Sequence, residues 1–222
     1  MSITPEAVCQ AVSTVTDEYL KTDYVSAHAV KNVVIDGRRV SVTIELGYPA
    51  KSRHEFIKNR VTAALKQIEG IGEIQVEVTT RILTHAVRRG VRPLAGVKNI
   101  IAVSSGKGGV GKSTVTANLA LSLKAEGARV GILDADIYGP SQPTLMGISE
   151  KPMSSDGEHV DPIEQYGVQL MSIGFMMDSV QPLAWRDPMI TQALMQLLTQ
   201  TKWRDLDYLL IDMPPGTGDI QL

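Results

Sequence analysis

The strongest chemical signal in the chain is the run Gly106-Lys107-Gly108-Gly109-Val110-Gly111-Lys112-Ser113-Thr114, with an apolar strand before it and a helical pattern after it. This is the G-x-x-x-x-G-K-[ST] spacing in the context the motif requires. Glycines let the backbone curl so that successive N–H groups face phosphate oxygens, and the positive end of the following helix reinforces them. Lys112 places a charge between a β- and a γ-phosphate, and the Ser113 hydroxyl is the natural magnesium ligand. The spacing therefore predicts binding of ATP with Mg2+ along Gly106–Thr114, and its hydrolysis. Two further sites fit that chemistry. Leu209–Asp212 is an apolar strand closing on a carboxylate, the Walker B form, so Asp212 is expected to hold magnesium through water. Gly216 follows where a γ-phosphate sensor would sit. Asp134 and Asp136 end another apolar strand, where ligands gather in open parallel sheets. Read alone, they are also compatible with solvated loop carboxylates or a helix cap.

The elements that must position these residues can be read from periodicity. From Asn99 onward, strands at Asn99–Ser104, Arg129–Asp134, Val168–Ile173 and Asp207–Asp212 alternate with helices at Lys112–Glu126 and Pro188–Thr201. That alternation predicts an α/β domain with a mainly parallel sheet covered on both faces. A long irregular excursion is expected over 137–165. The chain stops after one more loop, so the sheet is expected to be incomplete. Before this domain, apolar residues at helical spacing over 2–20 and 52–68 flank strands at Val30–Ile35, Val40–Leu46 and Ile74–Val78, with Asp36-Gly37 as a hairpin turn. The order α-β-β-α-β describes a small α+β domain. The domain assignment is 1–84, a basic linker at 85–98 carrying Arg88, Arg89, Arg92 and Lys98, and the ATPase part at 99–222.

Composition narrows the function classes. The chain has 222 residues, 43% hydrophobic and 21% charged, with formal net charge −2, so its overall balance calls for neither nucleic acid nor an anionic membrane. No stretch approaches the ~20 apolar residues of a membrane span. With one cysteine, Cys9, there is no internal disulfide and no multi-thiolate metal site from one chain. The expectation is a cytoplasmic protein, with Cys9 buried in a helix. The histidines lack metal-ligand spacing, and Met171, Met176, Met177, Met189 and Met195 are expected in the core or on a dimer surface.

Lys107, directly after the first glycine, marks the deviant form of the phosphate loop. Together with Asp134–Ser141 and Asp212–Leu222, it makes the chain resemble the Mrp/ApbC family of iron–sulfur cluster carriers. Trp185–Met189 is similar to another family segment, with Asp187 where glycine is usual. Residues 1–84 resemble the MIP18-like domain of many bacterial members. The resemblance implies a homodimeric ATPase that takes an iron–sulfur cluster from donors and passes it to apo-proteins. It implies that Lys107 reaches the partner subunit's phosphates, that Asp136 orients or activates the attacking water, and that Asp134 lies nearer the magnesium shell. The family's bridging Cys-x-x-Cys would lie beyond Leu222, so no iron–sulfur ligands are expected within these residues and a cluster is expected only for the complete protein. A partition ATPase of the ParA/MinD type shares the Lys107 loop and is the alternative. A non-enzymatic interaction module is the third reading.

Overall fold

The computed structural model describes residues 3–85, 93–177 and 187–216, with the side chains of Met177 and 187–190 left aside. It divides into two compact units, Met1–Ile82 and Leu83–Leu222. The expectations for Arg88, Arg89 and Arg92, for Trp185 and the side chains up to Met189, and for the final Gly218–Leu222 lie outside the described residues.

In the first unit, α1 (Pro5–Ser13) starts with the Thr4 hydroxyl accepting from the Ala7 N–H and Pro5 in the first turn. The helix is shorter than its apolar spacing predicts. Asp17 is the reason: its buried carboxylate accepts from the N–H groups of Tyr19 and Leu20 at 2.8 and 3.0 Å, a local turn that replaces further helical bonds. Tyr19, which falls on the apolar spacing over 2–20, is consequently 65% exposed. Strands β1 (Val30–Asp36) and β2 (Arg39–Leu46) form the expected hairpin, with Gly37 at φ +56°. After α2 (His54–Leu65) the chain returns as β3 (Glu73–Thr80), parallel to β2. Val40, Val42, Ile44 and Leu46 of β2 all point into one core with Val8, Val12, Ile57, Val61 and Leu65. Phe56, also expected inside, lies at the surface beneath the guanidinium groups of Arg53 and Arg60, 4.4 and 5.6 Å from its ring centre. Cys9 is half-buried rather than buried, because it flanks the inward stripe of Val8 and Val12.

The second unit contains β4 (Val97–Val103), α3 (Lys112–Ala125), β5 (Val130–Asp134), α4 (Gln142–Leu145), β6 (Ile163–Gln165), β7 (Val168–Ser172), α5 (Gly174–Met177), α6 (Asp187–Gln200) and β8 (Leu206–Asp212). Strand order is β4-β8-β5-β7-β6, parallel throughout except for the β6–β7 hairpin. That hairpin was not anticipated, although Tyr166 and Gly167 both have positive φ, as a two-residue turn demands. Both sheet faces are covered, as the continuous apolar run of β5 requires. Val130 and Ile132 pack with Ala117 and Ala120 of α3, while Leu133 packs with Leu197 of α6, Trp203 and Leu209. Met171 is buried; Met176 and Met195 are exposed.

Asp207 ties three strands together from the sheet's far end. Its carboxylate accepts from Lys98 Nζ at 2.8 Å, from the Arg129 backbone N–H at 2.9 Å and from the Arg129 guanidinium at 3.3 Å. Burial alone raises its pKa, but these donors overcome that and hold it below 3.8. Removing it takes a partner from the partly exposed Lys98 and Arg129 side chains and an acceptor from the Arg129 N–H, so Asp207→Ala is expected to cost about 1–2 kcal/mol. Urea unfolding followed by tryptophan fluorescence checks this selectively, since Trp185 and Trp203 both belong to the second unit. A lowered folded pKa gives stability that is present above 3.8 and lost as pH falls through the folded value. The difference from Asp207→Ala should therefore shrink below pH 3.8.

Candidate functional site

The carboxyl ends of β4, β8 and β5 lie side by side. The parallel register pairs Val103 with Asp212 and Asp212 with Asp134, so the residue ending each strand falls in one row. Gly106–Thr114 rises from β4 and turns into α3 through Gly109 and Gly111, at φ +74° and +90°, backbone that side-chain-bearing residues avoid. Gly111 is the N-cap of α3 and no side chain caps that helix end. Its first-turn N–H groups are thus left for an anion. The loop is braced from below: Ser105 Oγ donates to the Lys107 carbonyl at 2.9 Å, and the Gly216 N–H donates to the Ser105 carbonyl at 2.9 Å. Gly216 has φ +112°. A cleft of about 390 Å³ opens over the loop, lined by Lys107, Lys112, Ser113, Thr114, Asp136 and Pro215 among others.

Under the cleft one ammonium faces two carboxylates. The Lys112 side chain is only 6% exposed, and its ammonium lies 2.6 Å from Asp212 Oδ1 and 3.4 Å from Asp136 Oδ2. It also donates to Ser113 Oγ at 3.3 Å. Asp212 is fully buried; Oδ1 additionally accepts from Thr116 Oγ1 at 3.3 Å, and Oδ2 from Gln142 Nε2 at 2.8 Å. Lys107 and Val110 are exposed at the rim.

Asp134 has a different part. Its Oδ1 accepts from the Asp136 N–H at 3.2 Å, and its Oδ2 from the Gln142 N–H at 3.0 Å and Ser172 Oγ at 3.1 Å. Burial chiefly, with the nearby Asp212 charge, pushes its pKa up to about 6 against the pull of these hydrogen bonds. Asp134, expected nearer the magnesium shell, holds these three donors and so anchors the loop over 135–142. Asp136 is carried by that loop and faces Lys112, with Oδ1 accepting from the Tyr138 N–H at 3.2 Å.

Among the described residues no three His, Cys, Asp or Glu side chains group as a metal cage. The oxygen donors near Lys112 are one hydroxyl, Ser113, and the carboxylates of Asp212 and Asp136. That set fits magnesium, which keeps several waters and is shared between one or two carboxylates and substrate phosphates.

Three site residues escaped sequence reasoning. Thr116 sits one helical turn after Lys112, a spacing that could have flagged it. Gln142 and Ser172 are joined to the site only by the fold and carried no local signal.

Comparison with known proteins identifies the families that the chain resembles. The family model described as NUBPL iron-transfer P-loop NTPase matches residues 96–222, and that of an iron-sulfur cluster assembly protein matches 5–78. An iron-sulfur cluster carrier protein of Pseudomonas fragi is 56% identical over 161 residues, 72% of this chain and 56% of the relative. One from Synechocystis is 42% identical over 99% of this chain and 64% of the relative. The chain thus spans about three-fifths of the length of these two. A nucleotide-binding protein of Archaeoglobus fulgidus, solved in complex with ADP, is 45% identical over 56% of this chain and 48% of its own, with TM-score 0.48. With more than half of the residues inside one family match, kinship is plain: the chain belongs to the NUBPL iron-transfer P-loop NTPases.

Proposed function

We propose that this chain binds ATP with magnesium, hydrolyses it as a face-to-face homodimer, and uses the cycle to take iron–sulfur clusters from donors and load them onto apo-proteins. One observation carries the nucleotide half: a buried lysine–aspartate pair, Lys112–Asp212 at 2.6 Å, lies directly under an uncapped glycine loop. The cargo half rests on the family and on relatives named as iron-sulfur cluster carriers. With one cysteine in 222 residues, cargo binding is proposed to draw on thiolates other than those of this stretch.

In this reading the amides of 108–114 cradle the β-phosphate and Lys112 spans the β- and γ-oxygens. Ser113 and, through water, Asp212 would hold magnesium, which when bound offsets phosphate charge. Asp136 orients a water whose oxygen bonds to the γ-phosphorus as the β–γ bridging P–O bond breaks. ADP leaves, and the water's proton ends on the released phosphate. Lys107, exposed at the rim, reaches the partner subunit's nucleotide and offsets charge that grows in the transition state.

The test is subunit mixing. Lys107→Ala should lower ATP turnover about 10³-fold with little change in nucleotide affinity, the scale of a cationic finger supplied in trans. Mixing Lys107→Ala with Lys112→Ala subunits should restore activity, because one intact phosphate loop then meets one intact Lys107. Parental turnover by Lys107→Ala alone removes the cross-subunit role. No ATP binding by the parent removes the whole proposal.

A further inference from the structure

Gln142 is completely buried at the start of α4, and three parts of the site converge on it. Its backbone N–H donates to Asp134 Oδ2 at 3.0 Å. Its carboxamide Nε2 donates twice, to the Ser113 carbonyl at 2.9 Å in the first turn of α3 and to Asp212 Oδ2 at 2.8 Å at the end of β8. Both amide protons are therefore committed. The other carboxamide atom, Oε1, is buried and has no hydrogen-bond partner among the described residues. Turning the amide over does not relieve this, since it would set Oε1 against a carbonyl and a carboxylate oxygen, neither of which can donate to it. A buried acceptor without a partner costs about 1–3 kcal/mol, so its persistence in an otherwise paired cluster points to a donor that is not among the described side chains, such as a bound water.

We propose that Gln142 is a positioning residue for the cation. Nε2 fixes the Asp212 carboxylate, which would hold the cation through water, and Oε1 would be the acceptor left for such a water. Gln142 thereby couples the loop over 135–142 to the metal. This rests on the nucleotide half of the function proposed above. The chemistry is that of outer-shell partners generally, which orient the groups that hold a metal and whose loss typically costs about 10–100-fold in metal affinity.

The experiment measures the affinity of a fluorescent ADP analogue in excess EDTA and again in saturating magnesium, for the parent, Gln142→Met and Gln142→Asn. Met keeps the length and loses the donors and acceptor; Asn keeps them and is one methylene too short to span. The affinity of each variant in EDTA serves as its own reference, so that any loss common to both conditions cancels. The gain in affinity on adding magnesium should fall about 10-fold, or about 1.4 kcal/mol. An undiminished magnesium gain, or equal losses with and without magnesium, overturns it; the latter would make Gln142 merely structural. Should Gln142→Met fail to fold by tryptophan fluorescence, Gln142→Asn decides alone. A parent that binds no analogue, or shows no magnesium gain, sinks the function proposal instead, so the two failures are told apart.

Discussion

Lys112→Ala is expected to lower the stability of the second unit by about 3 kcal/mol and to weaken ATP binding about 100-fold. The stability loss follows from Asp212, a fully buried carboxylate that among the described residues would retain only the Thr116 hydroxyl and the Gln142 amide as close donors. Breaking a buried ion pair by removing one partner strands the other charge. The affinity loss follows from charge-assisted bonds to phosphate, each worth about 1.5–3 kcal/mol. The two effects separate in the double variant Lys112→Ala/Asp212→Asn. It should regain most of the lost stability, because the stranded charge is gone, and should still bind ATP poorly. Urea unfolding by tryptophan fluorescence reads the first effect, and titration with a fluorescent ATP analogue reads the second. Parental affinity in Lys112→Ala would count against the phosphate assignment, and no recovery in the double variant would count against the ion pair.

Asp134→Ala should lower ATP turnover about 100-fold while changing nucleotide affinity by less than about threefold. Removing the carboxylate takes the acceptor from the Asp136 N–H, the Gln142 N–H and the Ser172 hydroxyl together. The loop carrying Asp136 then loses its anchor, and a displacement of about 1 Å at a water-orienting group is enough for a loss of that size. The phosphate loop is braced separately, by Ser105 and Gly216, so binding persists. Asp134→Asn keeps one acceptor oxygen and should fall between the two. Steady-state kinetics with a parallel binding titration distinguishes this from a direct magnesium ligand, whose removal would weaken binding of the magnesium complex as well.

What the sequence made legible was whatever is written locally. The phosphate loop, its strand and helix, the Asp36-Gly37 hairpin and the mainly parallel character of the larger sheet all follow from residue spacing and turn chemistry. The limits had physical causes too. The end of α1 depends on a single buried Asp17 carboxylate that competes with the helix, which apolar periodicity cannot register. Phe56 matches the inward spacing of its helix, yet two neighbouring arginines cover it at the surface. Asp134 and Asp136 look equivalent as a pair at a strand end. Only long-range partners separate them, Ser172 and Gln142 for one and Lys112 for the other. The same holds for Gln142, whose bonds reach residues 29 and 70 positions away.

The row of Val103, Asp212 and Asp134 has an implication for how such a protein can be altered. These groups ride on hydrogen-bonded strands, so their spacing is inherited from the sheet and owes nothing to the perimeter segment over 153–158, which is exposed. Insertion costs in a surface loop grow only slowly with length. An insertion there that spares the Lys202 contacts to Ser155 and Asp156 should therefore leave the catalytic spacing as it was.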